Sequence, residues 1–186
     1  MTRLPRVLPA GIMVIALAAL AAAQGAPAKV TVASTAFAAN QPIPAVYSGD
    51  GRDVSPPLTW TGAPAATREF ALICDDPDAP MPVPFVHWVI YKIPAAAKGL
   101  PEGVPQGSTV SGVAALAGAL QGLTGFGAAG YNGPAPPPGS AHHYHFTVYA
   151  LNRPLTVRPG LDKDALLDAM KGHVIGQGEL IGTYQR

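Results

Sequence analysis

Charge is scarce in this chain. Only 12% of its 186 residues are Asp, Glu, Lys or Arg, and 12 basic side chains stand against 11 acidic ones. A nucleic-acid binder needs a concentrated basic face to displace counterions from phosphates. A protein drawn to an anionic membrane needs a basic cluster. Neither is present, so nucleic acid is not an expected partner. Cysteine is scarcer still: Cys74 is the only one, which rules out an intrachain disulfide. Its place in an apolar strand pattern reads as a small buried residue. No repeat of fixed period runs through the chain, and no G-x-S-x-G serine elbow occurs.

Glycine and proline are abundant, at 21 each. They cut the chain into short apolar runs. Lys29 to Ala33, Arg68 to Asp75, Phe85 to Ile93, His143 to Leu151 and His173 to Tyr184 read as strands between breakers. One helix is clear: Asp162 caps it, Asp164 lies in its first turn, and Leu166, Leu167 and Met170 form its apolar face up to Lys171-Gly172. A mostly-β domain is expected. The segment from Ser111 to Gly130 is rich in Gly and Ala, and it reads as a long surface excursion.

The first 23 residues are expected to lie outside that domain. Arg3 and Arg6 precede an apolar run from Val7 to Ala23 that ends in Ala21-Ala22-Ala23-Gln24. A basic start, a short apolar stretch and small residues at its end describe a secretory signal peptide cleaved before Gln24. The other reading, an uncleaved membrane anchor, asks for a run of about 20 residues. Residues 24–186 then form a single exported domain, periplasmic or secreted, with no membrane span after cleavage. Losing Arg3 and Arg6 leaves the mature chain with 10 basic and 11 acidic side chains, net −1.

Two stretches carry candidate chemistry. The first is Asp75-Asp76-Pro77-Asp78-Ala79-Pro80, followed by His87-Trp88. Prolines fix its backbone, and Asp76 and Asp78 either shape the turn or orient a histidine. By strand alternation His87 shares a face with Phe85, Val89 and Tyr91, which fits a satisfied core residue or a pocket histidine. The second stretch runs from Gly130-Tyr131-Asn132-Gly133-Pro134 through Gly139 into His142-His143-Tyr144-His145-Phe146. His143 and His145 share one face, and His142 shares the other with Tyr144 and Phe146. The three histidines therefore do not converge on a metal, and His-x-His lacks an evident third ligand. No metal or cofactor is expected. The Gly-Pro-rich approach can leave backbone N–H groups aimed at an anion.

Taken together, DPDAP with His-Trp, GYNGP and HHYHFTVYAL resemble the phosphatidylethanolamine-binding protein family, in its bacterial Raf-kinase-inhibitor-like branch of the YbhB/YbcL type. Asp53-Val54-Ser55-Pro56-Pro57-Leu58 with Trp60, and Gly172-His173-Val174 with Gly182-Thr183-Tyr184, extend the resemblance over most of residues 29–186. It implies a two-sheet β fold with a few peripheral helices and a small pocket for phosphate, a phospho-headgroup or a carboxylate. By motif position Asp76, Asp78 and Pro80 match the first pocket loop, and His87 matches the pocket histidine. Gly133 and Pro134 match the second loop, and His142 and Tyr144 its end. The family often has Arg where His143 stands and Cys where Ala135 stands, and segment 111–128 departs from the usual run. The expected function is an exported, non-enzymatic binding protein for a small anionic ligand or phospholipid headgroup. Two alternatives stand beside it. One is an inhibitor or interaction module for a protease or signalling enzyme, using the pocket or segment 107–130. The other is a hydrolase using the His/Asp pocket. A kinase partner is implied only by the family name, and export would separate the protein from cytosolic kinases.

Overall fold

The structure is a computed structural model that describes residues 25–186. The expected signal peptide and its cleavage point before Gln24 lie outside the described residues. In chain order the elements are β1 (Ala28–Lys29), β2 (Thr31–Ala33), β3 (Gln41–Pro42), β4 (Leu58–Thr61), β5 (Glu69–Asp76), β6 (Phe85–Pro94), β7 (Gly99–Leu100), β8 (Leu120–Gln121), β9 (His142–Leu151), α1 (Lys163–Met170) and β10 (Val174–Tyr184). They form a seven-stranded sheet in the order β1-β10-β9-β5-β6-β8, with β3 also on β10, and a three-stranded sheet β2-β4-β7. The two-sheet, mostly-β expectation matches this architecture. Of helices, the described residues hold α1 and two short 3-10 turns, Ala45–Tyr47 and Ala114–Leu116.

The long strands β5, β6 and β9 are buried on both faces, which explains their near-continuous apolar sequences. One face meets the small sheet: Phe70, Leu72, Cys74, Trp88, Phe146 and Val148 pack with Val32, Leu58 and Trp60. The other face meets α1: Ala71, Ile73, Val89 and Tyr91 pack with Leu155, Leu166 and Met170. Asp162 caps α1 by accepting from Ala165 N at 2.8 Å. Cys74 is buried, and its apolar surroundings push its thiol well above the usual range.

Two expectations need correction. Lys29 to Ala33 is not one strand. The chain changes sheets at Val30, so that β1 pairs with β10 while β2 pairs with β4. Nor is segment 111–130 a surface excursion throughout. Leu116, Ala119 and Gln121 are buried, and β8 adds to the edge of β6. The anchor is Gln121, which accepts from the Trp88 indole at 2.8 Å and donates to the carbonyls of Pro105 and Gly107 at 2.8 and 2.7 Å. A buried amide with both ends satisfied can hold a glycine-rich segment in the fold.

Candidate ligand-binding site

The C-terminal end of β5, the N-terminal ends of β6 and β9, and three loops enclose a cavity of about 210 Å³. Asp76 organises its floor. This buried carboxylate accepts through Oδ1 from the backbone N–H groups of Asp78 and Ala79, at 2.8 and 3.1 Å. Through Oδ2 it accepts from His142 Nδ1 at 2.8 Å. One side chain thus closes its own loop and orients a histidine 66 positions away. The bond at Nδ1 leaves Nε2 of His142 as the other ring nitrogen.

His87 reaches the same cavity by a local irregularity. Along β5 and β6, Cys74 is opposite Trp88 and Asp75 opposite Val86, so His87 is the extra residue of a β-bulge. Its neighbours beyond the bulge, Val89 and Tyr91, belong to the α1 side, and Trp88 to the small-sheet side. Simple alternation therefore misassigns its face. The bulge turns His87 to Phe85, Tyr144 and Phe126, with ring centroids 5.3, 5.0 and 6.0 Å away. Its Nδ1–H donates to the carbonyl of Asn132 at 2.8 Å. Burial pushes its pKa down, against the opposing pull of the Asn132 carbonyl and the Asp76 charge.

Tyr144 completes the floor. Its hydroxyl is buried and has no hydrogen-bond partner within the protein. Burial, and then the Asp76 charge, push its pKa far above the usual phenol range, so it stays an O–H donor. A buried hydroxyl without a partner is costly unless something else supplies one.

The proposed site residues separate into two groups. Asp76, Pro80, His87, His142 and Tyr144 line the cavity. Asp78, Gly133 and Pro134 do not. Asp78 turns outward, where its Oδ2 accepts from the backbone N–H and Nδ1 of His143, at 2.8 and 2.6 Å. The Gly133 N–H is not offered to a ligand, because it donates to Asp53 Oδ1 at 2.5 Å. Gly133 is glycine because a Cβ there would stand 2.2 Å from the Tyr47 carbonyl oxygen. Pro134 accepts from Gly49 N at 2.8 Å. These two residues form a pedestal beneath Ala135, Pro136 and Pro137, which do line the cavity.

Sequence reasoning missed the rest of the wall: Ala79, Met81, Phe85, Phe126, Ala135, Pro136 and Pro137. It also missed the back support. Arg186, at the far end of the chain, donates to Asp50 from Nε at 3.0 and 2.9 Å and from Nη2 at 2.5 Å. Its carbonyl accepts from Gly139 N at 3.4 Å, and Gln185 Nε2 donates to Gly139 O at 2.6 Å. The proline loop is thus pinned by an arginine from β10's end rather than by one beside His142. No sequence spacing announces that contact. Among the described residues no group of three or more His, Cys, Asp or Glu is placed to hold a metal ion, and no helix is long and apolar enough to cross a membrane.

Three comparisons with known proteins bear on this site and fold. The family model described as phosphatidylethanolamine-binding protein matches residues 33–185. A UPF0098 protein of Methanothermobacter thermautotrophicus is 46% identical over 144 residues, covering 77% of this chain and 91% of that one. Among solved structures, a putative phosphatidylethanolamine-binding protein homologue, CT736 of Chlamydia trachomatis, superposes with a TM-score of 0.73 at 36% identity. That match covers 86% of this chain and 98% of the other. E. coli YbcL superposes with a TM-score of 0.76 at 30% identity, covering 84% and 98%.

Proposed function

This chain belongs to the phosphatidylethanolamine-binding protein family, and from that premise we propose that it is a binding protein for a small anion, a phosphate or carboxylate group. One observation carries the reading. Asp76 aims His142 into a cavity whose other polar linings are His87 and the unpartnered hydroxyl of Tyr144. The Tyr144 hydroxyl is a donor preset for an oxyanion, and His142, whose Nδ1–H is committed to Asp76, donates through Nε2 in its cationic form. By the same rule His87 becomes a third donor when it takes a proton, because its neutral form commits Nδ1–H to Asn132. Anion and proton then bind together, so affinity rises as pH falls. The apolar start at residues 7–23 supports export of the domain.

Isothermal titration with inorganic phosphate tests this at about pH 6, near the ordinary histidine pKa. Replacing His142 with Ala removes a charge-assisted donor worth about 1.5–3 kcal/mol, a loss of roughly 10- to 150-fold in affinity. Phosphate affinity unchanged by His142→Ala would overturn the reading. Turnover of a phosphomonoester panel by the wild-type protein would replace binding with catalysis.

A further inference from the structure

Sulfur is rare in this chain, and the fold sorts its sulfur atoms by exposure. They belong to Met1, Met13, Cys74, Met81 and Met170. Met1 and Met13 lie outside the described residues. Cys74 is 1% exposed, and its apolar surroundings keep it a thiol rather than the reactive thiolate. Met170 is also 1% exposed and packs with Leu155 and Leu166 in the core beneath α1. Met81 is 55% exposed and stands in the wall of the candidate cavity.

The loop between β5 and β6 builds this display. Its run Pro80-Met81-Pro82-Val83-Pro84 alternates proline with apolar side chains. Pro80 and Pro82 fix φ on either side of Met81, and Pro82 also steers the Met81 backbone away from helical geometry. Met81 N donates to Ala79 O at 2.6 Å. Ala79 N in turn donates to Asp76 Oδ1 at 3.1 Å. The backbone that carries Met81 is thus anchored to the carboxylate that aims His142. A methionine is ordinarily an adaptable filler of core gaps. Here its thioether is held at the mouth of a cavity, open to solvent.

We propose that Met81 is an oxidation site through which hydroperoxides weaken anion binding at the cavity. The assignment rests on the anion-binding reading above and adds a means of regulation to it. The sulfur lone pair attacks the outer oxygen of the hydroperoxide. The S–O bond forms as the O–O bond breaks, and sulfur gives up two electrons. The proton of that oxygen passes to the departing alkoxide or hydroxide, which leaves as an alcohol or water. The product is a sulfoxide, polar where the thioether was apolar, and enzymatic reduction reverses it. Pro80, Phe85, Phe126 and Pro136 make the wall around Met81 apolar. The donors of the cavity are the Tyr144 hydroxyl and the protonated forms of His142 and His87. A sulfoxide oxygen carries partial negative charge and no proton, so it opposes an incoming anion and competes for those donors.

Treatment of the full chain with hydrogen peroxide tests the site, followed by peptide mapping and by calorimetric titration with inorganic phosphate at about pH 6. Mapping separates Met81 from Met1 and Met13. One added oxygen is expected on Met81 well before any on Met170. The treated protein is expected to bind phosphate at least about threefold more weakly. Methionine sulfoxide reductases for the two epimers, supplied with dithiothreitol, return the affinity to its starting value. In Met81→Leu, which keeps the apolar bulk without sulfur, treatment leaves the variant's own phosphate affinity within about twofold. Oxidation of Met170 in step with Met81 overturns the assignment, because the oxidant then reaches the core as readily as the loop. Unchanged affinity at full oxidation of Met81 overturns it too, as does an equal loss in peroxide-treated Met81→Leu. In each of these cases phosphate binding by the untreated protein leaves the anion reading standing. An untreated protein that binds no phosphate sinks both.

Discussion

Two Asp–His pairs lie side by side where the loop after β5 meets the start of β9. In the first, Asp76 and His142 are 2.8 Å apart with side chains 4% and 10% exposed. In the second, Asp78 and His143 are 2.6 Å apart with side chains 41% and 48% exposed. The chemistry is the same and the sequence offsets differ by one residue. Strand alternation sends His142 and His143 to opposite faces of β9, and the faces differ in solvent. On the cavity face a carboxylate interacts with its partners in a poorly screened setting; on the outer face water and salt screen most of the attraction. An ion pair therefore says little about a site until its burial and its other partners are known. Asp76 also holds two backbone N–H groups inside the protein, whereas the Asp78 carboxylate holds the His143 backbone at the surface.

The sharpest way to break this comparison is to remove the buried carboxylate. Asp76→Ala leaves His142 Nδ1–H and the N–H groups of Asp78 and Ala79 without their acceptor. Stranding these donors is expected to cost about 2–4 kcal/mol of folding stability, read from urea unfolding at neutral pH. A loss below about 1 kcal/mol would mean that the cavity face is as well hydrated as the outer one, and the contrast between the pairs would collapse.

The same contrast shows what the sequence makes legible. The long strands β5, β6, β9 and β10 and α1 with its Asp162 cap follow from local signals, whereas the two-sheet arrangement and the floor residues Asp76, His142 and Tyr144 follow from the family resemblance. Alternation and turn chemistry act within a few residues. The face of His87 does not follow, because a bulge is a property of how β5 and β6 pair, and the sequence of one strand does not display it. Asp78 fails for a different reason. It sits in the right motif, but its carboxylate reaches an exposed partner whose position depends on β9. Gly133 matches the second loop by motif, but its N–H answers to Asp53, which is 80 positions away. The apolar wall is least legible of all, since Met81, Phe85, Phe126 and Pro136 come from three separate segments and none has a spacing that announces a pocket.

A middle-sized effect comes from His87, whose cost of burial distinguishes it from the exposed histidines. Burial holds its folded-state pKa below 6.5. On acidification the unfolded chain takes the proton first. The stability owed to the neutral ring is complete above the unfolded pKa and is lost as pH falls from about 6.5 toward the lower folded value. His87→Gln removes this titration. Melting curves between about pH 8 and pH 5 should therefore show a shallower acid-side fall in Tm for the variant than for the wild-type protein. Added phosphate should restore wild-type Tm most strongly at the acid end, because the anion pairs with the protonated ring. Parallel pH slopes in the two proteins would mean that His87 does not titrate against its cavity.

The smallest effect belongs to the outer pair, where the prediction is close to silence. The His143 hydrogen bond, ahead of its other influences, holds the Asp78 carboxyl below its ordinary 3.8. The stabilisation this brings is present above that value and is lost as pH falls through the lower folded pKa. Both partners are well exposed, so water screens most of it, and an exposed pair contributes about 0.2–1 kcal/mol at most. A double-mutant cycle through Asp78→Ala, His143→Ala and their combination should give a coupling in that range that shrinks further with added salt. His143→Ala should also leave phosphate affinity within about twofold, because the ring stands on the opposite face of β9 from His142 and Tyr144. A large loss of phosphate binding on His143→Ala would mean that the outer histidine reaches the ligand after all. The two pairs would then act as one site, and burial would have been the wrong criterion for separating them.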